Sequence, residues 1–326
     1  EYNAAFFDRG PKFLHYEPRQ LFVGNIEYDH ADLYPDIESI EDAFRKVIAL
    51  VPPDGAVVIN ADDKRVVDVA RHARSEGDRH ARSNGDRHAR SEDAGDARAT
   101  VVRVSLADPG ADFSARDVAF HEQGTDFTLL EAGLPTARLS SPLLGLHNVR
   151  NALGAIALVR GAGLSASEIA AGLPRFAGVR RRLEVKGEKN GILVVDDFAH
   201  HPTAVSSTLE AARARFPARR IWALFEPRSN TAGRKMFEDE YAEAFAAADA
   251  LVLAPVYHAR RLAEDARLDR DALVRRFHAS GKPAFAPEAI AEIPEILRRE
   301  ARPGDVLLLM SSGAFGGLPE TLLESL

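Results

Sequence analysis

Apolar residues in the first part of the chain form short runs and one helical stripe. The runs at residues 21–24 and 56–59 predict buried strands, and the apolar positions of residues 37–51 recur at the spacing of a helix. A Pro-Pro pair ends that helix, and residues 60–63 resemble a strand-to-helix turn before a second helix that begins near Val66. This part of the chain is therefore predicted to alternate strands and helices.

The middle of the chain changes from strands to helices. Strands are predicted at residues 100–104, 112–120 and 127–130. A strongly apolar stretch at residues 148–160 predicts a helix that closes at Gly161. Ser165 and Glu168 then have the spacing of a capping box, which predicts another helix that ends near Leu173.

From Ile192 onward, apolar strands alternate regularly with helices. The predicted strands are residues 192–195, 221–225, 250–254 and 306–310, with a weaker one near Ala284. The predicted helices are residues 204–215, 237–248, 271–279 and 290–299. This alternation predicts a parallel sheet covered on both faces. The fold class is therefore α/β, with a boundary between Arg175 and Lys189 that separates domains 1–178 and 179–326.

An octapeptide repeat interrupts the first domain. RHARSEGD at residues 71–78 is followed by RHARSNGD at residues 79–86 and by an expanded copy at residues 87–96. The segment has few apolar residues, so we expect an expanded, mobile surface loop over residues 71–98. Its histidines recur every eight residues beside arginines, which argues against a metal site.

Composition excludes several classes of protein. The 326 residues include no cysteine, so disulfides and thiolate metal sites are excluded, and no apolar run approaches the ~20 residues needed to cross a bilayer. The net charge of −7 argues against general nucleic-acid binding and allows a local basic cluster for an anionic substrate. These features fit a cytoplasmic protein.

Candidate chemistry lies in polar loops that follow predicted strands, where parallel sheets bind ligands. The segments are NIEYDH at residues 25–30, GLHNVRN at 145–151, RRRLE at 180–184, DDFAHHP at 196–202, EPRSNT at 226–231 and SSGAFGG at 311–317. Carboxylates and imidazole in the first segment suit a hard cation, and the amides of the second suit a base edge. Each segment alone is equally compatible with helix caps or structural ion pairs.

The order and spacing of these segments, together with EYNAAFFDRGPKFLHY at residues 1–16, resemble the Mur ligases of cell-wall metabolism. The resemblance covers nearly the whole chain except the repeat. Within the family it favours the branch that joins a recycled tripeptide, L-Ala-γ-D-Glu-meso-diaminopimelate, to UDP-N-acetylmuramate. The sister ligases that add L-alanine have tyrosine-glycine at Phe198-Ala199 and a different loop in place of EPRSNT.

The resemblance implies a partial central ATPase domain followed by a Rossmann-like C-terminal domain. It also implies ATP and Mg²⁺ as cofactors. ATP phosphorylates a substrate carboxylate, and the incoming amine attacks the acyl phosphate, so that catalysis consists of positioning and charge neutralisation.

The resemblance also assigns residue roles. His30 would hold magnesium, together with Glu1, and Asp29 and Glu27 would lie nearby. The residues implied for ATP are His147, Asn148, Asn151, Arg182 and Asp197. Those implied for the incoming peptide are His200, Arg228, Ser229, Asn230, Thr231, Ser311, Ser312 and Gly313. The catalytic set is His30, Arg182, Asp197 and His200, and the fork of Arg228 suits a peptide carboxylate.

Two departures from the family pattern affect the expected activity. The 326 residues contain neither the Gly-rich phosphate loop that ends in Gly-Lys-Thr or Gly-Lys-Ser nor the domain that binds the UDP-sugar. We therefore expect this polypeptide alone to be inactive or nearly so. The alternatives are a UDP-N-acetylmuramate–L-alanine ligase, a non-catalytic nucleotide- or peptide-binding module, and a folylpolyglutamate-type ligase, which explains EPRSNT and DDFAHHP less well.

Overall fold

The computed structural model describes residues 4–5, 8–31, 33–83, 98–121 and 123–326, and it describes the side chains of all of these except residues 74–83. The chain divides into two compact units. Unit 1 comprises Glu1–Ala119, Thr125–Pro142 and His147–Phe176, and unit 2 comprises Phe120–Gly124, Leu143–Leu146 and Ala177–Leu326.

The first sheet has six strands in sequence order. They are β1 (Gln20–Val23), β2 (Ala56–Asn60), β3 (Thr100–Ser105), β4 (Phe113–His121), β5 (Gly124–Glu131) and β6 (Leu134–Ser141). Strands β1 to β4 pair in parallel, and β5 and β6 pair antiparallel. The accompanying helices are α1 (Ile37–Ala49), α2 (Lys64–Ser83), α3 (Leu146–Gly161) and α4 (Ala166–Gly172).

Local sequence signals account for these helices. Asp36 caps α1 by accepting a hydrogen bond from Ser39 N at 2.9 Å, and the apolar stripe of α1 packs into a cluster with residues of β1 and β2. The predicted capping box is confirmed at the start of α4, where Ser165 and Glu168 bond reciprocally at 2.8 and 3.3 Å. Strand β6 was not predicted, because residues 134–141 lack a continuous apolar run.

The loop predicted over residues 71–98 is wrong for residues 71–83, which continue helix α2. Val66, Val69 and Ala70 are fully buried and fix the first turns of α2 against the core. A helix that is already nucleated extends through Arg, Ala and Glu at low cost, because these residues are good helix formers. The rest of the repeat, residues 84–97, lies outside the described residues, as does Glu1.

The second sheet confirms the predicted parallel arrangement. Its strands are β7 (Glu184–Lys189), β8 (Ile192–Asp197), β9 (Ile221–Phe225), β10 (Ala250–Leu253), β11 (Ala284–Phe285) and β12 (Val306–Met310). The spatial order is β11-β10-β9-β12-β8-β7, and only β7 is antiparallel to its neighbour. Strand β7 was not predicted, since it is a polar edge strand, EVKGEK, with no apolar run.

Five helices accompany the second sheet: α5 (Pro202–Arg215), α6 (Glu238–Ala244), α7 (Arg270–Ala279), α8 (Ile293–Glu300) and α9 (Leu318–Ser325). Strands β9 and β12 are buried at every residue, which matches their continuous apolar sequence. Strand β12 lies between β8 and β9, and it follows each of them by more than 80 residues in the chain. In the described part of the chain, no helix is both long and apolar enough to cross a membrane.

Candidate functional site

Three buried polar residues lie at the carboxyl edge of the second sheet. Asp197 ends β8, Glu226 follows β9, and Ser311 follows β12. Ser311 connects all three loops, since its N–H donates to Asp197 O at 3.2 Å and its Oγ donates to the carboxylate of Glu226. The same Oγ accepts a bond from Gly313 N at 2.9 Å. Ser311, a predicted peptide contact, is therefore a buried connecting residue in this structure.

Asp197 holds two backbone segments in place. Its carboxylate accepts bonds from Leu183 N and Ala199 N, both at 2.8 Å, and from Thr208 Oγ1 at 3.2 Å. Burial raises the pKa of Asp197 above its usual value, and these bonds and the charge of Arg182 oppose that rise. The structure shows the Asp197 carboxylate bonded to groups of the protein itself, and its contact with a ribose stays a prediction.

The two neighbouring arginines have different surroundings. Arg181 pairs with Asp196 at 3.1 Å and donates through Nη2 to Ser311 O, so its half-buried guanidinium is bonded to the loop of Ser311. Burial raises the pKa of Asp196, and Arg181 opposes this rise. Arg182 is exposed, with its guanidinium carbon 5.9 Å from the ring of Phe198. Arg182 is the more exposed of the two residues, and its predicted phosphate contact stays a prediction.

Arg228 lies in a defined site formed by Glu226, Tyr257 and Gly313, which we call the Arg228 site. Its Nη1 is 3.5 Å from Glu226 Oε1, and its guanidinium carbon lies 3.7 Å from the centre of the Tyr257 ring. A Cβ atom on Gly313 would lie 2.0 Å from Arg228 Nε, so a side chain at position 313 would displace the Arg228 side chain from this position. About 29% of the Arg228 side chain remains exposed.

The residues after Arg228 form a tight turn. Ser229 Oγ accepts a bond from Ala232 N at 2.9 Å, Asn230 O accepts one from Arg234 Nε at 3.1 Å, and Thr231 is buried. These contacts stabilise the loop. The predicted peptide contacts of Ser229, Asn230 and Thr231 therefore stay predictions.

His200 and Ser312 complete the predicted peptide-binding set, and both are half-buried. A ring nitrogen of His200, Nδ1, lies 3.0 Å from Phe198 O, and the carbonyl of His200 accepts a bond from Tyr241 OH. These contacts fix both the ring and the backbone of His200 at the start of α5. Its predicted role in catalysis is untested.

In unit 1, the segment after β1 places His30 in a buried position. His30 is 7% exposed with a left-handed φ of 52°, and its Nε2 lies 4.0 Å from Asp29 Oδ2. Within the residues that the structure describes, no three His, Asp or Glu side chains group as a metal site. His30 and Asp29 would thus supply a minority of the ligands of a magnesium ion, which commonly keeps waters and phosphate oxygens.

A polar cavity of about 940 Å³ lies at the carboxyl ends of β1 and β2. Its lining includes Asn25, Glu27, Asn60, Asp62, Lys64 and Arg150. Asn60 Nδ2 donates to Gly24 O at 2.8 Å and joins the two strand ends. The cavity is therefore lined by side chains of the strand ends and of α1, α2 and α3.

The predicted adenine contacts lie at the start of α3. His147 and Asn148 occupy its first turn, and Asn151 follows Asn148 by three residues, so these side chains share a helix face. Gly145 precedes the helix with φ of 95°. The N-terminal end of a helix favours anions, in keeping with a nucleotide nearby, but the adenine contacts stay predictions.

Sequence reasoning missed three residues of the site in unit 2. Arg181 was not separated from Arg182, Glu226 was noted only as part of a polar loop, and Tyr257 was overlooked. The position of Tyr257 in the sequence could have identified it, since Tyr257 follows β10, the strand that pairs with β9, and Arg228 follows β9. Only the tertiary structure identifies Tyr257 as the residue whose ring contacts Arg228.

Comparison with known protein families assigns both units. Residues 14–159 match the Mur ligase middle domain, and residues 181–313 match the Mur ligase glutamate ligase domain. Together the two matches span most of the chain.

Individual relatives fall into two groups with different substrates in their names. The UDP-N-acetylmuramate–L-alanine ligase of Acetivibrio thermocellus is 33% identical over 314 residues, covering 96% of this chain and 61% of the relative. The UDP-N-acetylmuramate–L-alanyl-γ-D-glutamyl-meso-2,6-diaminoheptandioate ligase of Escherichia coli K12 is 33% identical over 329 residues. The match covers 100% of this chain and 63% of the relative. The chain thus spans about six-tenths of the length of these relatives.

Among solved structures, a murein peptide ligase of Psychrobacter arcticus is similar with a TM-score of 0.66 and 29% identity. The alignment covers 100% of this chain and 61% of that one. On both family matches and these relatives, the chain belongs to the Mur ligase family and contains its middle and C-terminal domains.

Proposed function

We propose that this chain forms the ATP-binding and peptide-binding parts of a ligase that joins UDP-N-acetylmuramate to L-Ala-γ-D-Glu-meso-diaminopimelate. Mur ligases use ATP, and we assign the nucleotide to residues 1–178 and the incoming peptide to residues 179–326. The product would enter cell-wall synthesis through peptide recycling.

The Arg228 site carries the proposal. A guanidinium presents paired N–H donors that match a carboxylate, and Arg228 is held at the carboxyl edge of a parallel sheet, where ligands bind. The tripeptide has several carboxylates, whereas L-alanine has one. A fixed guanidinium beside the polar loop at residues 226–231 is consistent with the larger anionic substrate.

The proposed reaction forms one amide bond at the expense of one phosphoanhydride bond. A carboxylate oxygen of UDP-N-acetylmuramate attacks the γ-phosphorus of ATP, and ADP leaves. The amine of the peptide attacks the resulting acyl carbon, loses a proton, and expels phosphate. Exposed Arg182 would neutralise phosphate charge, and Arg228 would orient the amine substrate through its carboxylate.

Magnesium, when bound, would neutralise phosphate oxygens next to His30. The buried ring of His30 is held close to Asp29, whose Oδ1 accepts a bond from His30 N at 2.7 Å. This chain's contribution would be to orient one imidazole toward the ion. The nucleotide would lie near His147, Asn148 and Asn151 at the start of α3.

The second candidate is an L-alanine ligase, since relatives of that name are as similar as those that use the tripeptide. Phe198-Ala199 and the EPRSNT loop favour the tripeptide. In this structure Phe198 packs edge-on against His200 at 5.4 Å.

Calorimetric titration of the chain with the tripeptide and with L-alanine tests the proposal. We expect tighter binding of the tripeptide. We also expect Arg228→Ala to weaken tripeptide binding by roughly 10- to 100-fold, because a hydrogen bond to a charged group contributes about 1.5–3 kcal/mol.

Arg275→Ala is the matched control, since Arg275 is 69% exposed on α7 and should leave binding unchanged. Tighter binding of L-alanine would favour the second candidate. If neither compound binds, peptide recognition by this chain is excluded.

A further inference from the structure

The ring of Tyr257 covers one face of the Arg228 guanidinium. The guanidinium carbon lies 3.7 Å from the ring centre, which is within the range of a cation–π contact. Tyr257 N donates to Pro227 O at 3.1 Å, so the loop after β10 is bonded directly to the loop that carries Arg228. Tyr257 is nevertheless half exposed, so packing in a hydrophobic core does not explain where its ring lies.

The remaining contacts of Arg228 restrict it without a tight ion pair. Glu226 lies 3.5 Å away, which is longer than the about 2.7–2.9 Å of a charge-assisted hydrogen bond. Its other carboxylate oxygen already accepts the bond from Ser311. Gly313 packs against Nε from another side. Arg228 is therefore confined by its neighbours while its donors are not consumed by Glu226.

We infer that Tyr257 is a positioning residue that holds the guanidinium of Arg228 ready for a carboxylate of the incoming peptide. The inference rests on the proposed function. An arginine side chain loses rotamer freedom when it binds a ligand, and a ring that fixes the guanidinium plane beforehand lowers that cost. Without the ring, the side chain could turn toward Glu226, which would then compete with the ligand.

This arrangement predicts a specific preference for charged ligands. A site built to donate to a carboxylate discriminates against an amide. The amide carries no negative charge, and its NH2 group would face the N–H donors of the guanidinium. Tyr257 acts only through Arg228, so its removal should reduce binding of the carboxylate form and leave the amide form unaffected.

The test compares Tyr257→Leu and Tyr257→Phe by calorimetric titration of the full chain. The ligands are the tripeptide and the same tripeptide with its carboxyl groups amidated. We expect Tyr257→Leu to weaken tripeptide binding by about 3- to 10-fold, because this is the size of effect that a partly exposed cation–π contact gives. Tyr257→Phe keeps the ring and should restore most of the affinity, and neither change should alter binding of the amide.

Tyr16→Leu is the matched control, since Tyr16 is 66% exposed in unit 1. Thermal unfolding of each variant establishes that it is folded. Equal weakening of both peptides by Tyr257→Leu, or equal losses for the Phe and Leu variants, would overturn the role of the ring. If the unchanged chain does not bind the tripeptide, the proposed function fails, and this inference fails with it.

Discussion

Asp62 stabilises the loop after β3 through four neighbouring groups. Ser105 Oγ donates to its carboxylate, Leu106 N and Ala107 N donate at 2.8 and 3.3 Å, and Arg150 Nε lies 3.8 Å away. Burial raises the pKa of Asp62, but the hydrogen bonds and Arg150 outweigh burial and lower the pKa below 3.8. The ionised form is therefore favoured by folding.

The pH dependence of stability follows from this direction. A folded pKa below the unfolded value means that the contribution of Asp62 is complete above about pH 3.8 and is lost as pH falls through the folded pKa. We expect Asp62→Asn to lower the free energy of unfolding at pH 7 by about 1–3 kcal/mol. The difference from the unchanged chain should shrink at pH 3, as measured by urea unfolding.

Asp54→Asn is the control for this prediction. Asp54 also pairs with an arginine in unit 1, but its side chain is 67% exposed, and such pairs contribute about 0–1 kcal/mol. A difference for Asp62→Asn that is the same at both pH values would show that its charge does not stabilise the loop.

At the scale of elements, Gly55 allows the N-terminal ends of β1 and β2 to lie close to each other. Ala56 N donates to Arg19 O at 3.0 Å, and Thr100 N donates to Gly55 O at 3.1 Å, so backbone from three strands converges at this residue. A Cβ atom on Gly55 would lie 2.3 Å from Arg19 O and 2.8 Å from Val51 Cγ1. Because the first of these is a backbone atom, a side-chain rotation cannot relieve the clash.

We expect Gly55→Ala to destabilise the protein by about 1–3 kcal/mol, the usual cost of overpacking. Thermal unfolding monitored by circular dichroism measures the effect. Gly172→Ala at the end of α4 is the control, since a Cβ there meets nothing within 4 Å and alanine is the better helix former. Equal melting temperatures for the two variants would contradict the close approach of β1 and β2.

At the scale of the molecule, unit 2 contains its own core. The buried cluster around Val194, Leu224 and Leu307 lies wholly within residues 177–326, as do all six strands of the second sheet. Trp222 is the only tryptophan of the sequence, and its Nε1 donates to buried Asp305 at 2.8 Å. Tryptophan fluorescence therefore reports on this core alone.

We expect residues 177–326, expressed alone, to fold with a shielded Trp222 and a single cooperative unfolding transition, because the strands that form the core are all present. Fluorescence during urea unfolding measures this. Leu308 is fully buried on β12, so Leu308→Ala should lower the free energy of unfolding of this fragment by about 2–5 kcal/mol. If the emission maximum of Trp222 in this fragment without urea already equals that of the unfolded fragment, unit 2 does not have an independent core.

The sequence by itself determined the buried strands, most helices and the family. Periodicity is a local property, so β9 and β12 are recognisable from continuous apolar runs, and the capping box of α4 from two residues three apart. The order of the polar segments carried the resemblance that the family matches confirm. The roles assigned to individual site residues remain predictions.

Only the tertiary structure decided which polar residues meet. Strand β12 lies between β8 and β9, and this long-range order brings Ser311 to Asp197 and Glu226. The edge strands β6 and β7 and the helical part of the repeat escaped prediction for a related reason. Their conformation depends on pairing partners or on a preceding buried turn, and neither is encoded in their own apolar pattern.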